Sequence, residues 1–174
     1  MDLKSKIREI PDFPKKGILF YDITTLLKDA KALKFACDKI FEHYSKKGKT
    51  FDKIVSMESR GFILGAVLAY KFGAGFVPIR KPGKLPAKAF KENFMKEYGE
   101  DSFEVHEDAI EKNEKVLVVD DLLATGGTAV AAVRLVEKMG GKPQGIAFLV
   151  ELSFLDGRKK LEGYDVFSLL KYDK

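Results

Sequence analysis

Apolar residues fall along this chain in short bursts, and two periods account for most of them. Residues 51–57, 75–79, 116–119, 144–152 and 165–170 are brief runs rich in β-branched or aromatic side chains. Runs of that length read as strands, and the nearly unbroken 116–119 run reads as one covered on both faces. Between them the period changes to that of a helix. Leu33, Ala36, Cys37, Ile40, Phe41 and Tyr44 share one face of a helix that Asp29 is placed to cap. Lys46 and Lys47 in its last turn and Gly48 beyond it close that helix. Residues 62–72 form an apolar helix, and Ala129, Val133, Val136 and Met139 line one face of another. Residues 157–162 fit a short helix, and so do residues 3–9 before Pro11 and Pro14 interrupt them. Residues 17–24 begin apolar and read as extended, with Phe20 and Tyr21 on opposite sides; by chemistry alone this is a packing segment.

Strands alternating with helices predict an α/β fold: a mostly parallel central sheet, helices on both faces, right-handed crossovers. One stretch resists the pattern. From residue 80 to about 101 no period is clear, although Phe90, Phe94 and Tyr98 recur every four residues and allow a short helix. Residues 102–106 read as a further strand.

Chemistry concentrates in residues 115–129, KVLVVDDLLATGGTA. A buried strand ends in Asp120 and Asp121, a small-residue loop follows (Ala124, Thr125, Gly126, Gly127, Thr128), and then a helix begins. Glycines let a backbone approach an anion, and a helix N-terminus offers unpaired N–H groups and a positive dipole end. The carboxylates cannot bind phosphate, so they face sugar hydroxyls or a hydrated Mg²⁺. The ligand this suits carries both ribose and phosphate. The spacing is neither a P-loop nor a dinucleotide fingerprint.

A second strand–turn–helix passage, Glu58-Ser59-Arg60-Gly61, is either a plain turn or a second anion nest into which Arg60 reaches. Arg80, Lys81 and Lys84 sit in a turn with two prolines and a glycine. The long segment after it is a lid over an anion site or a solvated charged loop. Two histidines far apart in sequence, His43 and His106, make a poor metal site, and Cys37 reads as a core residue.

Length bounds the rest. A chain of 174 residues fits one domain over residues 1–174. It has no 18-residue apolar run for a membrane span and no signal-peptide core, so the expected location is cytoplasmic. The net charge of +5 permits nucleic-acid binding but is equally explained by a polyanionic small substrate.

VLVVDDLLATGGT resembles the phosphoribosyl pyrophosphate (PRPP) signature of type I phosphoribosyltransferases. DFPKKGILFYDITTLLKD, ESRGF, IRKPGKLP, KEYGEDSFEVHEDAI, LVELSFLDGRKKL and FSLLKY, in that order, resemble the adenine-using branch of that family. The resemblance implies a glycosyltransferase of purine salvage: pentosyl transfer from PRPP to adenine, giving AMP and pyrophosphate, with Mg²⁺ as cofactor. It implies a homodimer with no nucleic-acid or membrane partner and a flexible lid at about 80–101. It assigns the 5′-phosphate to Ala124, Thr125, Gly126, Gly127 and Thr128, and the ribose hydroxyls to Asp120 and Asp121. Ser59, Arg60, Arg80, Lys81 and Lys84 would hold pyrophosphate, with Mg²⁺ bound mainly through PRPP and water rather than by a protein cage. Leu19, Phe20, Tyr21 and Leu152 would line the adenine pocket, although Tyr21 stands where the family often has Arg. Glu97 and Arg60 would be catalytic, Glu97 as acid/base near the purine N7. The alternatives are an enzyme for another base such as xanthine, or a PRPP-binding regulator; the absence of a segment long enough for a helix-turn-helix speaks against the regulator.

Overall fold

Val116, Leu117, Val118 and Val119 have no exposed surface, as a strand covered on both faces requires. The computed structural model describes residues 1–96 and 99–174, which form two compact units, Met1–Lys39 and Ile40–Lys174.

In the first unit a 3-10 turn, Lys4–Lys6, precedes β1 (Arg8–Pro11), which pairs antiparallel with β2 (Leu19–Asp22). The helix expected over residues 3–9 is therefore only one turn. Leu3 and Ile7 are buried at helical spacing, but so short a helix cannot offset its nucleation cost once β2 offers the backbone partners. Asp22 ends β2 and accepts hydrogen bonds from Thr24 Oγ1 at 2.7 Å and Arg8 Nη2 at 2.6 Å, which hold its carboxyl down to about 2. One helical turn, α1 (Thr24–Leu27), leads to α2 (Ala30–Ser45). Asp29 caps α2 as its residue type predicts, with Oδ1 accepting from the Lys31 and Ala32 N–H groups at 3.0 and 3.1 Å. Cys37 is buried, a core residue as read.

The second unit continues with β3 (Lys53–Met57), α3 (Arg60–Phe72), β4 (Gly75–Ile79), β5 (Ala89–Lys96), β6 (Gly99–His106), β7 (Lys115–Leu123), α4 (Gly127–Lys138), β8 (Lys142–Leu152) and β9 (Val166–Tyr172). Its five-stranded sheet has the order β4-β3-β7-β8-β9, parallel at every pairing. Alternate side chains separate its two faces. Val55, Met57, Val118, Ile146 and Phe148 pack with Ala129, Ala132, Val133 and Val136 of α4. Ser56, pointing the other way, meets α3 at Gly65. Tyr44, on the last part of α2, is fully buried and donates its hydroxyl proton to the Ile146 carbonyl at 2.9 Å. His43, read from the helical pattern as lying toward the polar side, instead stacks on Phe167 of β9 at 4.0 Å.

Part of the stretch without a clear period is strand, residues 89–96 and 99–101. β5 and β6 pair antiparallel, Ala89 opposite His106 through Phe94 opposite Asp101, as a separate two-stranded sheet. The possible helix through Phe90 and Phe94 is corrected: a spacing of four also keeps two residues on one face of a strand. Tyr98, the third member of that series, lies outside the described residues.

Candidate functional site

The chain runs from β3 through α3 to β4 on one side of the sheet centre, and from β7 through α4 to β8 on the other. Strand order thus reverses between β3 and β7. A crevice outside the carboxyl ends is the expected ligand site at such a point. A pocket of about 240 Å³ lies there. The turn after β3 supplies Glu58, Ser59 and Arg60 to its wall, and the turn after β4 supplies Lys81. Asp120 and Asp121 come from β7, Ala124 from the loop that follows and Thr128 from the first turn of α4. Residues read separately along the sequence are thereby brought together.

The acidic pair is buried, Asp120 at 9% and Asp121 at 6% exposure. The Asp121 N–H donates to Asp120 Oδ1 at 2.9 Å. Burial first, and then the charge of Asp121, push the Asp120 carboxyl well above its ordinary value, because two adjacent carboxyls resist double ionisation. Arg60 offsets part of this, its Nε standing 2.7 Å from Asp121 Oδ2.

The small-residue loop ends two residues earlier than its pattern suggests. α4 begins at Gly127, so Gly127 and Thr128 belong to its first turn, where N–H groups have no intrahelical acceptor. Gly126 is the N-cap at φ +81°, a left-handed conformation that side chains disfavour. A Cβ there would also lie 2.6 Å from the Gly157 carbonyl oxygen, and one on Gly157 would lie 2.1 Å from that of Ala124. The turn at Gly157 is therefore wedged against the loop, a supporting contact that sequence reading missed. At Gly127 a Cβ would come 2.7 Å from the Met95 carbonyl oxygen, so β5 reaches the first turn of α4.

On the cationic side every basic group has an acidic neighbour. Glu58 Oε2 lies 3.0 Å from Lys84 Nζ and 3.4 Å from Arg80 Nε, and Glu58 Oε1 accepts from the Lys81 N–H. The Lys81 ammonium pairs with Asp101 of β6 and lies 5.4 Å from the Phe103 ring centroid. Arg80 and Glu104 exchange backbone hydrogen bonds at 2.9 and 2.8 Å, and the Gly83 N–H donates to Glu104 Oε2 at 3.0 Å. Burial pushes the Glu58 carboxyl up, but the Lys81 N–H, Lys84 and Arg80 outweigh it and hold it below its ordinary value. Sequence reading missed Glu58, Asp101 and Glu104, although Glu58 stands inside the ESRGF motif and could have been weighed as a partner for the nearby cations.

The remaining expected residues lie as follows. Thr125 and Gly126 continue the loop, Gly127 opens α4, and Leu152 ends β8 at 8% exposure. Leu19, Phe20 and Tyr21 belong to β2 of the first unit, with Leu19 exposed, Phe20 edge-on to Phe13 at 5.1 Å and Tyr21 buried. Glu97 lies outside the described residues.

Among the described residues no three His, Cys, Asp or Glu side chains form a metal cage. Two carboxylates in one pocket fit a Mg²⁺ that keeps its waters and shares a substrate's phosphates. No helix among them is long and apolar enough to cross a membrane. A larger hollow, about 550 Å³, lies beside Arg158. That guanidinium is already engaged by Glu151, Ser168 Oγ and the Val166 carbonyl.

Known proteins are similar to this chain in sequence and fold. The phosphoribosyl transferase domain profile matches residues 24–171. An adenine phosphoribosyltransferase of Koribacter versatilis is 59% identical over 99% of this chain and 93% of its own. The crystal structure of adenine phosphoribosyltransferase from Thermoanaerobacter pseudethanolicus superposes with a TM-score of 0.93 at 55% identity, covering 98% of each chain. The Saccharomyces cerevisiae enzyme, solved with an imino-altritol bisphosphate and adenine, gives 0.91 at 42% identity, covering 97% of each chain.

Proposed function

We propose, from the premise that this chain belongs to the phosphoribosyl transferase domain family, that it is a purine-salvage enzyme: it transfers the 5-phosphoribosyl group from PRPP to adenine, giving AMP and pyrophosphate. One observation carries the reading. The acidic pair, the glycine loop at a helix N-terminus and the turns bearing Arg60 and Lys81 converge at the sheet's switch point. A ligand with a sugar between two phosphate groups matches those chemistries in that combination.

The N–H groups of the first turn of α4, with Ala124, Thr125, Gly126, Gly127 and Thr128, take the 5′-phosphate. Asp120 and Asp121 take the ribose hydroxyls, which donate to their carboxylate oxygens. Ser59, Arg60, Arg80, Lys81 and Lys84 take the pyrophosphate. As it leaves, these cations meet charge that grows on its oxygens, a large source of rate enhancement. Mg²⁺, when bound with PRPP, adds Lewis-acid neutralisation of that leaving group; Asp120 and Asp121 are the carboxylates able to hold its water shell. Leu19, Phe20, Tyr21 and Leu152 recognise adenine, whose 6-amino group donates where 6-oxopurines accept. Glu97 takes the proton that adenine loses. The segment of about 80–101 acts as a lid that keeps water from PRPP. Residues 1–174 act as one phosphoribosyltransferase domain in a cytoplasmic homodimer.

The reading is tested by offering adenine, hypoxanthine, guanine and xanthine with PRPP and Mg²⁺. AMP from adenine is the expected product. Turnover of another base in preference to adenine would overturn it.

A further inference from the structure

Glu58 is an acid in a place built for anions. It sits at the carboxyl end of β3, its side chain 10% exposed, on the wall of the pocket that also holds Ser59, Arg60 and Lys81. Its carboxylate gathers one backbone N–H, one ammonium and one guanidinium, from Lys81, Lys84 and Arg80. That is the donor set a phosphate would take. Its own N–H donates to the Ile79 carbonyl at 3.0 Å, which ties the ends of β3 and β4 together and leaves the side chain pointing at the basic turn.

We infer that Glu58 is a positioning residue for pyrophosphate: it stands in for a phosphate group, holds Arg80, Lys81 and Lys84 in a ligand-ready turn while the site is empty, and yields those donors when pyrophosphate binds. The inference rests on the functional reading above. Its carboxyl, held below its ordinary value, is ionised at neutral pH and therefore a true competitor. Two opposed consequences follow from one side chain. The carboxylate keeps the turn in order, which favours binding. It also neutralises the cations and repels the incoming anion, which weakens binding and speeds release of product.

Two substitutions separate those effects. In Glu58→Gln the amide oxygen still accepts from the Lys81 N–H, but the charge is gone. Pyrophosphate should bind about three- to tenfold more tightly, between the worth of an exposed ion pair and that of a buried charge-assisted bond. In Glu58→Ala the turn loses its anchor as well, and pyrophosphate should bind more weakly than to wild type. AMP affinity, measured by the same calorimetry, should stay within about twofold in both, because the cradle at α4 makes none of these contacts. A purely structural role would lower affinity in both variants. Weaker or unchanged pyrophosphate binding by folded Glu58→Gln overturns the inference, whether or not Glu58→Ala folds. Should wild type bind neither PRPP nor pyrophosphate, the functional reading itself fails and takes this inference with it.

Discussion

The two anion-facing regions of the site are made in different ways. The loop from Ala124 to Thr128 contains no cation: its means are backbone N–H groups, two glycines and a helix end, propped by Gly157 and closely approached by Met95. The turns around Arg60 and Arg80–Lys84 rely on long cationic side chains, each beside a carboxylate: Arg60 with Asp121, Lys81 with Asp101, Arg80 and Lys84 with Glu58. Backbone donors fixed by the fold need no reorganisation when a ligand arrives. Paired cations must first change partner. The first region should therefore respond to shape and hardly to charge, and the second the reverse.

The sharpest way to break this contrast is Gly127→Val. A branched side chain would meet the Met95 carbonyl, 2.7 Å from the Cβ position, and crowd the first turn of α4. AMP and PRPP binding should fall below detection in calorimetry, since several charge-assisted bonds of about 1.5–3 kcal/mol each are lost together. Pyrophosphate alone should still bind; equal loss of all three ligands would mean that the regions are not separable. Glu97→Leu comes next. Its kcat should drop roughly 10²–10⁴-fold in both directions with PRPP affinity kept, the range for general acid–base help, and near wild-type turnover with chemistry rate-limiting would remove it from the mechanism. Arg60→Ala should cost PRPP and pyrophosphate about 1.5–3 kcal/mol, roughly 10- to 150-fold, and AMP much less. A matching loss for AMP would move Arg60 to the sugar side. The smallest effect concerns pH. Because the folded-state value of Glu58 is depressed, the stability it confers is fully present above its ordinary value of 4.5. That stability is lost as the pH falls through the depressed folded value. Melting curves taken from neutral pH down to about pH 3 should show this loss in wild type and less of it in Glu58→Gln; identical curves would deny Glu58 its charged contacts.

Much of this site could be read from the chain because its pieces follow buried strands, whose apolar runs leave little ambiguity. Asp120, Asp121 and the glycine loop are adjacent in sequence, so one local pattern exposed them. The β5–β6 pair was hidden for a physical reason. Phe90, Glu92 and Phe94 turn inward while Lys91, Asn93 and Met95 are exposed. An inward acid, answered by Arg134 at 3.5 Å, and an exposed methionine erase the alternation that marks a strand. The carboxylates of Asp101 and Glu104 matter through partners brought close by folding, and no spacing along the chain encodes that. The Gly157 wedge is illegible for the same reason: its partners, Ala124 and Gly126, lie more than thirty positions earlier.

The paired backbone bonds between Arg80 and Glu104 have a mechanical consequence. A side-chain contact can swing away while its strand stays put, but a reciprocal N–H···O=C bridge at 2.9 and 2.8 Å fastens main chain to main chain. The β5–β6 ribbon and the basic turn thus share a rivet. Tilting the ribbon outward would pull Arg80 with it or tear two bonds at once. A force applied at the ribbon is felt at Arg80 and its neighbours without any messenger between them.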